Sequence, residues 1–186
     1  TFTFGDMVRY SNQAANFFAA HGVGRGDRVM LILKRHYQFW FALLGLHKLG
    51  AVGIPATNQL TKKDIAYRCN AAGVSLVICT TDGDVADHVE AALPESPTVH
   101  TLVSAHGPRK GWIYFDAEFP SCSDVLERLP TAAKDPMLIY FTSGTTGMPK
   151  MVCHDFTYAI AHIITAKYWQ NVVPDSLHLT ISDTAW

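Results

Sequence analysis

No Cys-x-x-Cys pair occurs among the four cysteines, Cys69, Cys79, Cys122 and Cys153. Without paired spacing the chain has neither the usual zinc-ligand pattern nor a dithiol redox motif, and the cysteines read as reduced, structural residues. The nine histidines show no His-Glu-x-x-His or comparable spacing, so no metal cage is predicted. A surplus of one charge is also lacking. Fifteen basic residues face sixteen acidic ones, which removes the electrostatic footprint of a nucleic-acid binder. Long apolar runs are missing too: the longest, residues 39–46, is cut by His47 and Lys48, far short of the roughly 20 residues of a membrane-spanning helix. There is no internal repeat or low-complexity tract. Neither an initiator Met nor a signal-like segment precedes Thr1, so the chain is expected to be a piece of a longer protein, with the cytoplasm as its default location.

What is present suits a folded α/β domain. With 48% hydrophobic residues over 186 positions, the chain can bury a substantial core. Thr3-x-x-Asp6 resembles a capping box, followed at helical spacing by Met7, Ser11, Ala14 and Phe18 until Gly22. The solid apolar run 28–33 reads as a buried strand. A helix is predicted over 36–49, ended by Gly50, and a strand over 51–54 stopped by Pro55. Thr61-x-x-Asp64 is a second capping box, opening a helix closed by Gly73, and residues 74–79 form the next strand. A helix over 85–93 and a strand over 98–103 continue the alternation. Residues 104–136 read as an irregular connection with one short helix over 123–129. Apolar strands separated by helices predict a mostly parallel sheet with helices on both faces, its ligand-binding loops outside the carboxyl ends of the strands.

The most informative segment follows the apolar run 137–141. Thr142, Ser143, Gly144, Thr145, Thr146, Gly147, Met148, Pro149 and Lys150 place four hydroxyls, two glycines and a lysine in one loop. Glycine admits close backbone approach to an anion, hydroxyls and N–H groups donate to phosphate oxygens, and the lysine adds a mobile positive charge. A P-loop is excluded because its Gly-x4-Gly-Lys-Ser/Thr spacing fails, and no Gly-x-Gly-x-x-Gly dinucleotide fingerprint occurs. Pro149 prevents a helix from starting tightly at Gly147, so the loop is expected to run strand to strand or strand to loop. Asp155 is the expected N-cap of a later helix reaching Trp169.

Residues 138–150, taken in order, resemble the signature loop of the adenylate-forming (AMP-binding) superfamily, which includes acyl-CoA synthetases, luciferases and peptide-synthetase adenylation domains. Residues 48–55 are similar to that family's upstream helix-to-strand motif and residues 180–186 to its next downstream one. Lys150-Met151 and residues 180–186 are most similar to medium-chain acyl-CoA synthetases. The resemblance implies the N-terminal α/β subdomain of such an enzyme over residues 1–136, then the phosphate loop and the start of a second subdomain over 137–186. It implies an ATP-dependent acid–thiol ligase, with ATP, Mg2+ and CoA as co-substrates, a small carboxylic acid as the other substrate, and the magnesium ligand outside this chain. Lys150 and Thr142 become the catalytic candidates, and the whole of 142–150 the ATP-phosphate site. Gln59 resembles a CoA-contacting glutamine, with a plain polar loop residue as the equal alternative. Trp186 is a candidate wall of the acyl pocket or an ordinary core tryptophan. A nucleotide sensor without turnover and an adenylating enzyme that loads a carrier protein remain as alternative functions.

Overall fold

The computed structural model describes residues 1–127, 129–142, 147–179, 182 and 184. Thr3 caps α1 (Phe4–Ala20): its side chain accepts the Asp6 N–H while the Asp6 carboxylate accepts the Thr3 N–H, the predicted reciprocal box. The chain then alternates through β1 (Arg28–Ile32), α2 (Gln38–Leu49), β2 (Val52–Pro55), α3 (Lys62–Ala72), β3 (Leu76–Thr80), α4 (Val85–Ala92) and β4 (Thr101–Ala105). Thr61 and Asp64 form the second box at the start of α3, and Gly50 and Gly73 end α2 and α3 in the left-handed conformation. A short β5 (Ile113–Tyr114) and α5 (Phe115–Glu118) follow, then β6 (Pro136–Thr142), β7 (Lys150–Asp155) and α6 (Thr157–Tyr168).

All seven strands join one sheet in the order β5-β4-β3-β1-β2-β6-β7, parallel except for the antiparallel pair β6 and β7. The strands after residue 136 therefore continue the same sheet. One face packs Leu31, Leu76, Ile78 and Val103 against α1 and α2; the other packs Met30, Ile32, Val77 and Cys79 against α3 and α4. Such two-sided burial explains why β1 and β3 read as solid apolar runs. All four cysteines are free thiols, with Cys69 and Cys79 buried in the core.

Three expectations differ from the structure. Residues 123–129 form no helix among the described residues, because amides of α1 occupy the backbone carbonyls a helix would need. Asn16 Nδ2 donates to Ser123 O and Val125 O, Asn12 Nδ2 to Asp124 O, and Gln13 Nε2 to Pro120 O and Cys122 O. The expected helix start at His36 moves to Gln38, since His36 sits in a turn whose N–H donates to Leu33 O. The strand expected over 98–103 begins at Thr101, after a turn in which Val99 N–H donates to Ser96 O.

Candidate functional site

Because β6 runs parallel to β2, its carboxyl end shares an edge of the sheet with those of β1, β2, β3 and β4. The glycine- and hydroxyl-rich loop leaves that end and returns directly into β7, the strand-to-strand course expected from Pro149. Ser143, Gly144, Thr145 and Thr146 lie outside the described residues, as does Trp186. The base of the hairpin is defined. Thr142 and Lys150 are register partners, and Thr142 Oγ1 donates to Lys150 O over 3.4 Å. Both side chains are exposed, and among the described residues Lys150 makes no ion pair. Gly147 has φ +134°, a backbone state that side chains disfavour, and open space where its Cβ would be. Met148 is exposed beside it. The loop base therefore offers an uncommitted ammonium, a hydroxyl and accessible backbone, the combination an anion needs.

Two residues not anticipated from sequence hold this hairpin from α3. Tyr67 donates its hydroxyl to Pro149 O at 3.0 Å, with its ring 6.3 Å from that of Phe141. Arg68 places its guanidinium 5.3 Å over the Phe141 ring, and Asp64 lies 3.7 Å from it one turn back. Burial of the guanidinium pushes its pKa down, against the opposing pull of Asp64. Their only sequence signal is position on the partly polar face of a capped helix. At the far end of β7, Asp155 accepts the Thr157 N–H at 3.0 Å and Lys134 Nζ at 3.0 Å, which orders the entry to α6. The N-cap of α6 is nevertheless Phe156, without a side-chain cap, so Asp155 is not the N-cap expected from sequence and instead closes the turn just before the helix.

Gln59 lies elsewhere on the same edge. It lines a cavity of about 440 Å³ with Lys34, Arg35, His36 and Asn58, and no described residue of the hairpin is among these. Gln59 is exposed, its N–H held by Thr57 Oγ1 at 3.3 Å. Neighbouring this cavity, the structure brings His36, Asp82 and His106 within ligand distance of one another, although histidine spacing predicted no metal cage. The three residues come from three separate loops, so no local pattern could reveal them. Among the described residues no helix is long and apolar enough to cross a membrane.

Comparison with known proteins agrees with this architecture. The family model described as "AMP-binding enzyme" matches residues 1–186. The chain is 35% identical over 188 residues to the acyl-coenzyme A synthetase ACSM4, mitochondrial, of Mus musculus, and 34% identical over 187 residues to the ACSM5 enzyme, also mitochondrial, of Homo sapiens. Each alignment covers 99% of this chain and 32% of the relative, so the chain spans about a third of their length. The crystal structure of a Brucella canis acyl-CoA synthetase superposes with a TM-score of 0.86 at 24% identity, over 100% of this chain and 33% of that one. That of the anthranilate CoA ligase AuaEII, in complex with anthranoyl-AMP, gives 0.82 at 23% identity, over 90% of this chain and 32% of its own. The mitochondrial relatives overturn the cytoplasm taken as the default location.

Proposed function

This chain belongs to the AMP-binding enzyme family, and on that premise we propose that the protein carrying it is an AMP-forming acyl-CoA ligase of mitochondria. A carboxylate attacks the α-phosphorus of ATP, giving acyl-AMP and pyrophosphate; the thiol of CoA then displaces AMP. The observation that supports this reading most directly is the base of the 142–150 hairpin, where Thr142 and Lys150 pair at the carboxyl edge of the sheet and Lys150 makes no ion pair among the described residues. Chemically, the difficulty is charge: two anions meet while a third departs. A loop that donates many hydrogen bonds to the β- and γ-phosphates positions the nucleotide and stabilises the leaving pyrophosphate.

In this reading Thr142, Ser143, Thr145 and Thr146 donate hydroxyls, and Gly144 and Gly147 lend their N–H groups. Lys150 neutralises the departing charge, while Met148 and Pro149 set the course of the return strand. Tyr67 and Arg68 act as positioning residues, fixing the hairpin to α3. Gln59 faces CoA, and Trp186 lines the acyl pocket. Magnesium is expected to accompany ATP, but residues 140–152 contain no Asp or Glu, its favoured protein ligands, so the hairpin does not fit the ion.

The test is carboxylate-dependent ATP–pyrophosphate exchange by the full-length enzyme. Lys150→Ala should lower exchange about 100-fold, the scale of losing one preorganised donor to transition-state charge. Unchanged exchange in that variant removes Lys150 from the mechanism. Absence of any exchange in the parent protein indicates a nucleotide sensor instead, and preference for a carrier-domain thiol over CoA indicates a carrier loader.

A further inference from the structure

The strand order places β1 between β2 and β3, so the chain leaves β1 toward one side and β3 toward the other. Loops that diverge in this way open a crevice at the carboxyl edge, the place where open α/β sheets take ligands. Three side chains with ligand chemistry converge there, from the loops after β1, β3 and β4. His36 Nε2 lies 2.8 Å from Asp82 Oδ2, His106 Nε2 lies 3.9 Å from Asp82 Oδ1, and one donor atom from each residue falls within 4.8 Å of the others. The two imidazole rings are stacked, 3.8 Å between centroids. A tetrahedral zinc site with bonds of about 2.0 Å needs donor atoms about 3.3 Å apart, so an ion must draw the three donors together and turn the two imidazoles out of their near-parallel stack, aiming both ring lone pairs at one point.

The backbone around the cluster is held firmly. The Asp116 carboxylate accepts the His106 N–H at 2.8 Å and, through its other oxygen, the Gln38 side-chain amide, tying the β4 loop to the start of α2. A Cβ on Gly107 would lie 2.4 Å from Thr81 Oγ1, so the β4 loop is pressed against the residue before Asp82. Asp82 N–H donates to Thr80 Oγ1. Lys34, beside the cluster, and His106, within it, hold φ of +50° and +62°, unfavourable for non-glycine residues. Lys34 Nζ sits 3.7 Å from Asp82 Oδ2, so positive charge already occupies the outer side of the carboxylate.

We propose that His36, Asp82 and His106 form a three-ligand site for a divalent transition ion of the zinc class, with solvent completing the coordination shell. Two imidazoles and one carboxylate suit borderline ions better than magnesium or calcium, which prefer all-oxygen shells. Coordination through His36 Nε2 uses the tautomer protonated at Nδ1. A proton carried on Nε2 passes to Nδ1 or to solvent as the ion binds, which keeps the charge balanced. The ion displaces the Lys34 ammonium and clamps three loops at the mouth of the crevice.

The experiment is titration of the chelator-treated full-length protein with ZnCl2 by calorimetry, paired with visible absorption of the Co2+ form; neither readout requires turnover, so the result is independent of the ligase activity. One equivalent should bind at micromolar concentration, and the cobalt spectrum should lack thiolate charge transfer. Asp82→Asn and His106→Ala should each weaken binding roughly tenfold or more, with thermal melting in chelator checking that each variant is folded. Lys34→Gln should tighten binding several-fold by removing the competing charge. No zinc bound at about 1 mM, affinity equal to the parent's in Asp82→Asn and His106→Ala, or unchanged affinity in Lys34→Gln overturns the site.

Discussion

On α2, His47 turns its ring toward the sheet, where Nε2 is sealed from solvent and has no hydrogen-bond partner among the described residues. Burial favours the neutral imidazole and pushes its pKa from the usual 6.5 down to about 4, although a hydrogen bond to the Met137 backbone pulls the other way. The folded chain therefore binds fewer protons than the unfolded chain between these values. Stability from this group is complete above about pH 6.5 and is lost as pH falls toward 4, amounting to about 2 kcal/mol by pH 5. Urea melts of the parent and His47→Gln should diverge in pH dependence by that amount. Equal slopes would mean the ring is solvated when folded. Single residues show both the reach and the limit of reading sequence. Thr3 and Asp6 announce a cap because their partners are three residues apart, whereas the ligand geometry of His36, Asp82 and His106 exists only after three crossovers bring their loops together.

Between elements, the tightest seam is that of α1 and α2. A Cβ on Gly45 would lie 2.8 Å from Ala15 N and 3.1 Å from Ala14 C, and backbone atoms cannot rotate aside. Alanine would improve the intrinsic helix propensity of α2 by about 1 kcal/mol. Overpacking costs about 1–3 kcal/mol and more when backbone must move, so it prevails. Gly45→Ala should lower the urea midpoint without changing the slope of the transition; a raised midpoint would show that the helices can separate freely. The failed helix over 123–129 carries a related lesson about elements. Its residues have acceptable local propensity, but Asn12 and Asn16 satisfy its carbonyls from across the fold, and tertiary hydrogen bonds override local preference. The hairpin loop was legible for the opposite reason: its glycines, hydroxyls, proline and lysine are contiguous, so their order fixes the strand-to-strand course without distant partners. Tyr67 and Arg68, which brace that hairpin, gave no such contiguous signal.

At the scale of the whole chain, the two-sided sheet follows from its apolar strands, but its strand order does not, since either side of β1 could have received β2. Burial is also unequal along the molecule. β1 and β3 are enclosed by helices on both faces, while α6 has no buried residue among those described and leaves Ile160, Ile163 and Ile164 each more than 60% exposed. Local opening requires little free energy where few apolar contacts are broken. Amides of α6 in the 186-residue chain should therefore exchange orders of magnitude faster than those of β1 and β3, measured by hydrogen exchange. Equal protection would place α6 in the same cooperative unit as the core.

The sheet ends differently on its two sides. β5 closes one side with only two residues, whereas β7 closes the other with six, and the exposed run Met151-Val152-Cys153 lies between Lys150 and Asp155. Among the described residues, the outer row of N–H and C=O groups on β7 is a template onto which another strand can add, with charge guarding its ends alone. The same hairpin that presents Lys150 to an anion thus leaves the chain, when expressed by itself, with a sticky border, and self-association through β7 is the hazard against which conditions for handling it should be chosen.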